Sequence, residues 1–475
     1  MAIIKDIIKT NDRLYRLSST ISELSEKLNI PSFLVGGCVR DLLVDPNINS
    51  VDIDIMVEGN AIDYAKKLAE ILGVKTVVPF PEFATARIPY NECEIEVASA
   101  RLESYDTKSR KPKSIDMTDV IGDLKRRDFT VNAIAISLSK DNFGELIDPF
   151  DGLQHLKSKL LKTPDNPDKT FSEDPLRMIR AAYFASKLSM NIDKECLKSL
   201  KKNADRIKIV SQERITNELL KILNTSSPSV GLILLQENGL LEYIFPEIHI
   251  MYGLDQTSEW HHKDIFFHTM EVVDNAAKLS KKVNLRLAAL VHDIGKPKTR
   301  RLHKQKGYTF YGHDDLGARM LEEVSKRMKF SNKTKDYIKN LTALHLRPIS
   351  LAKKDVTDSA IRRLIVDAGE DIDDLMLLCR ADITTKNPKN VKKYLSNFDY
   401  VERRIKEVDE KDELRLFQSP VKGIEIMEMF NLPPGKQVGV IKSLVEEAIL
   451  DGEIENSYNA AIKFLNILKK TGKLN

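Results

Sequence analysis

The hydrophobic period of this chain changes once, near residue 153, and that change limits what it can fold into. Before it, short β-rich runs (FLVGG, VDIDIMV, KTVVPF, TARIPY, CEIEVAS) extend from Phe33 to about Val97 around one good helix, NAIDYAKKLAEILG. After it, helical spacing runs through LQHLKSKLL, EDPLRMIRAAYFASKL, QERITNELLKIL and VGLILLQENGLL, and on to the last residues. The pattern predicts an α+β chain, with a mixed-sheet head followed by an all-α body. Residues 1–30 read as an amphipathic helical lead-in. Residues 102–118, with Lys108, Arg110, Lys111 and Lys113 in near series, read as a mobile basic loop. A helix is expected through DLKRRDFTVNAIAISL, then a strand and turn at GELIDPFDG. At 475 residues the chain exceeds one ordinary core. The predicted divisions are 1–152, 153–250, 251–390 and 391–475.

Composition excludes several classes. Hydrophobic residues make up 42% and charged residues 30%, which argues against global disorder. Seventy-four basic and 70 acidic side chains leave a formal charge of +4, so any nucleic-acid contact must come from local patches. Cys38, Cys93, Cys196 and Cys379 form no C-x-x-C pair and fit reduced thiols. No apolar stretch approaches the roughly 18 residues of a membrane helix, and the first residues lack a signal-peptide block. A cytoplasmic protein without a membrane partner is expected; the oligomeric state is not readable.

Three constellations carry chemistry. In FLVGGCVRD, Gly36 and Gly37 end an apolar strand, and Arg40 and Asp41 open a helix, a turn that lets backbone approach phosphate. Tight strand-to-helix turns use the same glycines. In SVDIDIMVEG, strand alternation puts Asp52 and Asp54 on one face, about 7 Å apart by the strand rise, with Ile53, Ile55 and Val57 toward the core. Two such carboxylates are costly together without a shared hard cation. Glu96 in CEIEVAS is the candidate third carboxylate.

The second constellation joins LKRRDFTVNA and SEDPLRMIR. The guanidinium groups of Arg126 and Arg127 suit a triphosphate, and Asp128 suits a ribose hydroxyl or an arginine partner. Ser172 is expected to cap a helix with Glu173 and Asp174 in its first turn, putting Asp174, Arg177 and Arg180 on one stripe. An aspartate accepts from an exocyclic amine, and an arginine donates to a ring nitrogen. Cytosine and adenine present that amine and acceptor, whereas uracil and guanine present a carbonyl and an N–H. One Asp–Arg pair therefore admits CTP and ATP and rejects UTP and GTP without a template.

The third constellation is histidine-rich. Most of the nine histidines lie between residues 261 and 345, and DIFFHTMEVV, ALVHDIGKP, YGHDDLG, TALHLRP and RADITTK supply His268, His292, Asp293, His313, His345 and Asp382. Imidazole and carboxylate ligands suit a transition metal, or magnesium with retained water.

The order GGCVRD, DID, RRDFTVNA, EDPLR, SQERI resembles the class II CCA-adding tRNA nucleotidyltransferases and their poly(A) polymerase relatives, including Bacteroidetes-like members with an HD domain. Its front half resembles the nucleotidyltransferase core shared with DNA polymerase beta. The resemblance implies a nucleotidyltransferase head, helical neck, HD domain and helical tail. It implies two Mg²⁺ ions at Asp52 and Asp54, nucleotide binding at Gly37, Arg40, Arg127, Asp174, Arg177 and Arg180, and tRNA, CTP and ATP as partners; Gly36, Arg126 and Asp128 join the nucleotide-binding candidates on the residue chemistry above. In-line attack on an α-phosphate would release pyrophosphate. An A-only tRNA-tailing enzyme and a poly(A) polymerase fit the same text. A chain whose main enzyme is the HD region, with the head as an RNA-binding module, is the reading of another class. Where some relatives carry a further arginine, this chain has Tyr183. The order H…HD…H…H…D resembles the HD phosphohydrolases and implies a divalent metal there. The basic helical segment NVKKYLSNFDYVERRIKEVDEKDELRLF reads as a solvated face or as a phosphate track along tRNA.

Overall fold

The computed structural model describes residues 8, 11–46, 48, 52–91, 93–105, 112–255, 264–305, 307–352, 356–412 and 419–471. They belong to two units, Met1–Pro246 and Glu247–Asn475. The start of the expected lead-in, the basic residues Lys108 to Lys111, and Trp260, His261 and His262 lie outside the described residues.

The first unit is built on one mixed sheet. Its strands are β1 (Ser32–Val35), β2 (Ile53–Val57), β3 (Val78–Phe80), β4 (Thr85–Tyr90), β5 (Cys93–Ser99), β8 (Ala135–Ser137) and β9 (Leu146–Ile147), in the order β3-β4-β5-β2-β1-β8-β9. Only β2 and β5 run parallel; every other neighbouring pair is antiparallel. Helix α1 (Asp12–Leu28) starts at Asn11, whose side chain accepts from the Leu14 amide, and buries Leu14, Leu17, Ile21 and Leu24 at helical spacing. Helix α3 (Ala61–Ile71), capped by Asn60, covers the same core. Between them, α2 (Gly37–Val44) follows β1 directly.

The two faces of β2 explain its sequence. Ile53, Ile55 and Val57 pack into the core shared with α1 and α3. Met56 points the other way, into a cluster with Phe33, Val35, Ala135 and Leu124 of α4 (Val120–Lys125). Asp54 lies two residues from Met56 on that second face. Truncating Ile55 to alanine would cost roughly 2–5 kcal/mol, as buried aliphatic truncations do.

Three expectations need correction. The loop over 102–118 is partly a hairpin, in which β6 (Arg101–Tyr105) pairs with β7 (Pro112–Met117) from Arg101↔Met117 onward. The helix expected through DLKRRDFTVNAIAISL stops at Lys125, turns through a 3₁₀ segment at Thr130–Asn132, and becomes β8. Its apolar second half is needed in the sheet, where Ala135, Ile136 and Ser137 pair with Val35, Leu34 and Phe33. The EDPLR segment is likewise not one helix. Helix α6 (Pro167–Glu173) ends, Asp174 is extended at φ −130° and ψ 97°, and α7 (Leu176–Leu188) follows. Pro175 is the cause, because the residue before a proline is pushed out of the helical region. Ser172 therefore sits inside α6 and caps nothing.

The neck continues with α8 (Lys194–Asn203), α9 (Gln212–Leu223) and α10 (Pro228–Glu237), after the short α5 (Gly152–Lys157).

The second unit is helical. Its first part holds α11 (Ile265–Leu279), α12 (Val283–Val291), α13 (His313–Arg327) and α14 (Asn332–Leu344). Then come α15 (Asp358–Ala368), α16 (Ile372–Ala381) and α17 (Pro388–Asp412). A hairpin of β10 (Arg301–His303) and β11 (Gly307–Thr309) interrupts the helices. The last three, α18 (Gly423–Phe430), α19 (Lys436–Leu450) and α20 (Tyr458–Thr471), have their own apolar cluster around Ile426, Val445 and Leu465. The α+β organisation, mixed sheet first and helices after, is as the change of period predicts. Among the described residues no helix is long and apolar enough to cross a membrane.

Candidate active site

A cavity of about 910 Å³ opens in the first unit. Gly36, Gly37, Arg40, Arg126, Arg127, Asp128, Asp174, Arg177 and Arg180 all line it, together with Asp54 and Glu96. Residues from five separate segments of the sequence are thus brought to one place.

The acidic end rests on strand register. Because β2 and β5 are parallel, Asp54 stands beside Glu96. Asp52, one residue ahead of β2, is exposed. Burial, reinforced by the charges of Glu96 and Asp52, pushes the Asp54 carboxyl up to about 6, against the pull of Arg127 and Arg40. A hard divalent cation is the group such oxygens accommodate, and it would relieve this repulsion. Glu96 meanwhile accepts from Arg87 Nε at 3.0 Å.

Gly36 separates the two ends. Its φ is +73°, and a Cβ there would come within 2.9 Å of Arg127 Nη1 and 3.3 Å of Asp54 Oδ2. Only glycine fits on both counts.

The basic wall is held from behind. Arg40 is buried, donates from Nη1 to Asn132 Oδ1 at 2.5 Å, and pairs with Asp41 at 2.7 Å. Asp123, 1% exposed, accepts from Arg126 at 2.6 and 3.0 Å and from Arg127 Nε and Nη2 at 3.1 Å each. Burial alone would raise its carboxyl, but the two guanidinium groups hold it below the usual carboxylate range. Asp128 takes the arginine partner. Its Oδ2 accepts from Arg180 Nε at 2.7 Å, and its Oδ1 from Asn132 Nδ2 at 3.0 Å. These contacts lower its carboxyl despite full burial.

The neck supplies the far wall. Arg177 Nη2 donates to the Arg126 carbonyl at 2.6 Å, and its Nη1 to the Thr170 carbonyl at 3.3 Å. Asp174 Oδ1 accepts from the Leu176 amide at 3.2 Å, and Oδ2 lies 3.6 Å from Arg214 Nη2 on α9. Arg40 and Arg180 both lie over the Phe184 ring, with Cζ 5.1 Å from its centroid. Sequence reasoning missed Asp123, Arg214 and Phe184. Asp123 had a signal, since DLKRR places it three and four residues before the arginines.

In the second unit the six histidine and aspartate residues also meet. His268 lies on α11, His292 and Asp293 follow α12, His313 opens α13, His345 follows α14, and Asp382 follows α16. They make two groups whose ligand atoms lie within 4.8 Å of one another: His268, His292 and Asp382, and Asp293, His313 and His345. Burial would lower His292, but Asp293 and Asp382 raise it to about 10. Burial and the charge on His292 press His345 down to about 4.

Similarity to known proteins agrees with this division. Residues 32–162 match the poly(A) polymerase head domain, 189–251 the probable RNA- and SrmB-binding site of polymerase A, and 265–387 the HD domain. The chain is 34% identical over 315 residues to a multifunctional CCA protein of Psychromonas ingrahamii, covering 64% of this chain and 72% of that protein. It is 36% identical over 239 residues to an A-adding tRNA nucleotidyltransferase of Aquifex aeolicus, covering 48% of this chain and 28% of that protein. Among solved structures it resembles a tRNA nucleotidyltransferase complexed with a primer tRNA and an incoming ATP analogue, at 26% identity and a TM-score of 0.58, covering 81% and 99% of the two chains. By its three matched segments and its identity across most of a CCA protein, this chain belongs to the family of CCA-adding tRNA nucleotidyltransferases and poly(A) polymerases.

Proposed function

We propose that the chain adds C, C and A to the 3′ end of tRNA from CTP and ATP, releasing pyrophosphate. The observation that carries this reading is the meeting of Asp54 and Glu96 with an arginine wall and the Asp174–Arg177 pair in one cavity. Asp52 and Asp54 would hold two Mg²⁺ ions, with Glu96 as third carboxylate, and the ions would activate the attacking hydroxyl and stabilise the leaving pyrophosphate. Arg40, Arg126 and Arg127 neutralise the triphosphate beside the Gly36–Gly37 turn. Asp174 accepts from the amine of cytosine or adenine, and Arg177 donates to the adjacent ring nitrogen. Arg180 and Asp128 position the wall between base and phosphates. In this reading 1–152 is the catalytic head, 153–250 the neck, 251–390 the HD domain and 391–475 a tail that tracks the tRNA backbone.

Purified protein, Mg²⁺ and tRNA lacking its last three nucleotides provide the test. Two additions with CTP alone, and a third only with ATP, are expected. The A-adding relative supports a second reading, in which only A joins tRNA already ending in CC. Long A tails on many RNAs would replace both readings with a poly(A) polymerase. The HD domain is proposed as an accessory phosphohydrolase with a divalent metal, a transition metal or Mg²⁺, on its six clustered ligands. No extension at all would make it the main enzyme.

A further inference from the structure

The proposed function leaves one wall of the head's cavity without a task. Arg214, Asn217, Glu218 and Lys221 of α9 line it at helical spacing, three and four residues apart. Glu218 is the unusual member. It is 4% exposed, Lys221 Nζ donates to its Oε1 at 2.7 Å, and its Oε2 is buried without a hydrogen-bond partner. An ionised carboxylate accepts and does not donate, so a buried oxygen of this kind is costly until a donor meets it. Rotation about the last torsion, which is broad in glutamate, presents an oxygen to the cavity.

A nucleotide brings donors of two kinds, the amine of its base and the hydroxyls of its ribose. Asp128 would be the obvious acceptor for a ribose hydroxyl, but it has no room for one. Its Oδ1 accepts from the Phe129 amide at 2.9 Å and from Asn132 Nδ2 at 3.0 Å, and its Oδ2 meets Arg180 Nε at 2.7 Å and Nη2 at 2.6 Å. A carboxylate has about four lone-pair sites, and these contacts fill them. The other acids lining the cavity are Asp54 and Glu96 at the cation end, Asp174 at the base, and Glu218. Glu218 is the one left for the sugar.

Its place along the wall agrees. Arg214 Nη2 lies 3.6 Å from Asp174 Oδ2, and Glu218 stands one turn further along α9, about 6 Å by the helical rise. Burial would lower the Arg180 guanidinium, but the charges of Asp128 and then Glu218 raise it, so Glu218 stands beside the arginine between base and phosphates. Lys221 offsets the charge of Glu218, which lets an acid sit near a triphosphate with little added repulsion.

We propose that Glu218 accepts a hydrogen bond from the ribose 2′-hydroxyl of the bound nucleotide and makes the site select ribonucleotides over deoxyribonucleotides. The 3′-hydroxyl has to stay free, because it becomes the nucleophile of the next addition. This role rests on the cavity being the CTP and ATP site. A site built to pair a substrate hydroxyl rejects the analogue that lacks it, because the buried acceptor is then left alone.

The test measures kcat/KM for the first addition to tRNA lacking its last three nucleotides, with CTP, 2′-deoxy-CTP and 3′-deoxy-CTP. The unmodified chain should use CTP and 3′-deoxy-CTP alike and 2′-deoxy-CTP about tenfold or more poorly. Glu218→Met keeps the length of the side chain and removes both oxygens, and should bring the ratio of CTP to 2′-deoxy-CTP within about twofold of one. Glu218→Gln gives its single acceptor to Lys221 and should lower the ratio about threefold or more; it decides if the methionine variant does not fold. A variant ratio equal to that of the unmodified chain overturns the role of Glu218, because a helix that merely supports the wall would slow all three nucleotides together. An unmodified chain that uses all three alike, or that rejects only 3′-deoxy-CTP, overturns the 2′ assignment. No addition from CTP at all overturns the CTP-site reading and this role with it, an outcome that a ratio of one does not resemble.

Discussion

Asp123→Asn is the sharpest perturbation of the head, because one buried carboxylate holds two arginines of the active-site wall. Its oxygens accept four guanidinium hydrogen bonds, at 2.6 and 3.0 Å from Arg126 and 3.1 Å each from two nitrogens of Arg127. Asparagine keeps one acceptor and turns an amide N–H toward the other arginine, so two charged bonds are lost. Each is worth about 1.5–3 kcal/mol. Both arginine side chains are 20% exposed, and water recovers part of that loss. A net destabilisation of roughly 2–4 kcal/mol follows. The freed Arg127 would also move toward Asp54, on whose carboxyl its charge already pulls. Urea denaturation of the variant should shift to a lower midpoint, and initial rates should show KM for CTP and ATP raised at least tenfold. An unchanged midpoint with unchanged KM for both nucleotides would refute the view that Asp123 positions the wall.

Other expectations follow from the same geometry. Gly36→Ala forces a non-glycine residue into φ +73° and drives Cβ against Arg127, so the head should lose about 1–3 kcal/mol by denaturation and most of its extension activity. Asp54→Ala should keep its circular dichroism spectrum and lose tRNA extension altogether; normal extension would sink the metal assignment. Mg²⁺ competes with a proton on Asp54, whose pKa is about 6 in the folded chain, so Mg²⁺ should bind weakly at pH 5, improve through pH 6 and level off above it, as calorimetry can follow. Asp128 is held below 3.8, so its bond to Arg180 stabilises the fold at any pH above the ordinary carboxylate range and is lost as pH falls through the depressed value. Asp128→Asn should therefore flatten the acid limb of a stability profile below about pH 4.

The sheet strands and most helices were legible because their periods are clean. VDIDIMV alternates, and DRLYRLSSTISELSEKL keeps its apolar residues three and four apart. The failures have two causes, long-range pairing at β8 and a local proline effect at Asp174. VNAIAISL has no helical stripe to speak of; it is apolar on both faces because Ile134, Ile136 and Leu138 pack into the core with α1 and α3, and Ala133 and Ala135 into the cluster around Met56. One helix was expected from Ser172 onward, whereas Pro175 pushes Asp174 before it out of the helical region. The candidate site residues were recognisable by motif, but apart from Asp123, three and four residues before its arginines, their partners were not. Nothing in the sequence says that Arg180 meets Asp128 or that Arg177 meets the Arg126 carbonyl, because those bonds span about fifty positions of chain.

Those two bonds have an evolutionary consequence. They tie the helix that would choose the base to the segment that would grip the phosphates. The neck is therefore not a cassette that recombination can replace alone. A chimaera carrying a foreign neck on this head should misplace base reader against phosphate grip, unless residues 123–132 travelled with it. Selection would then pass the two down together, as one inherited ruler between base edge and triphosphate.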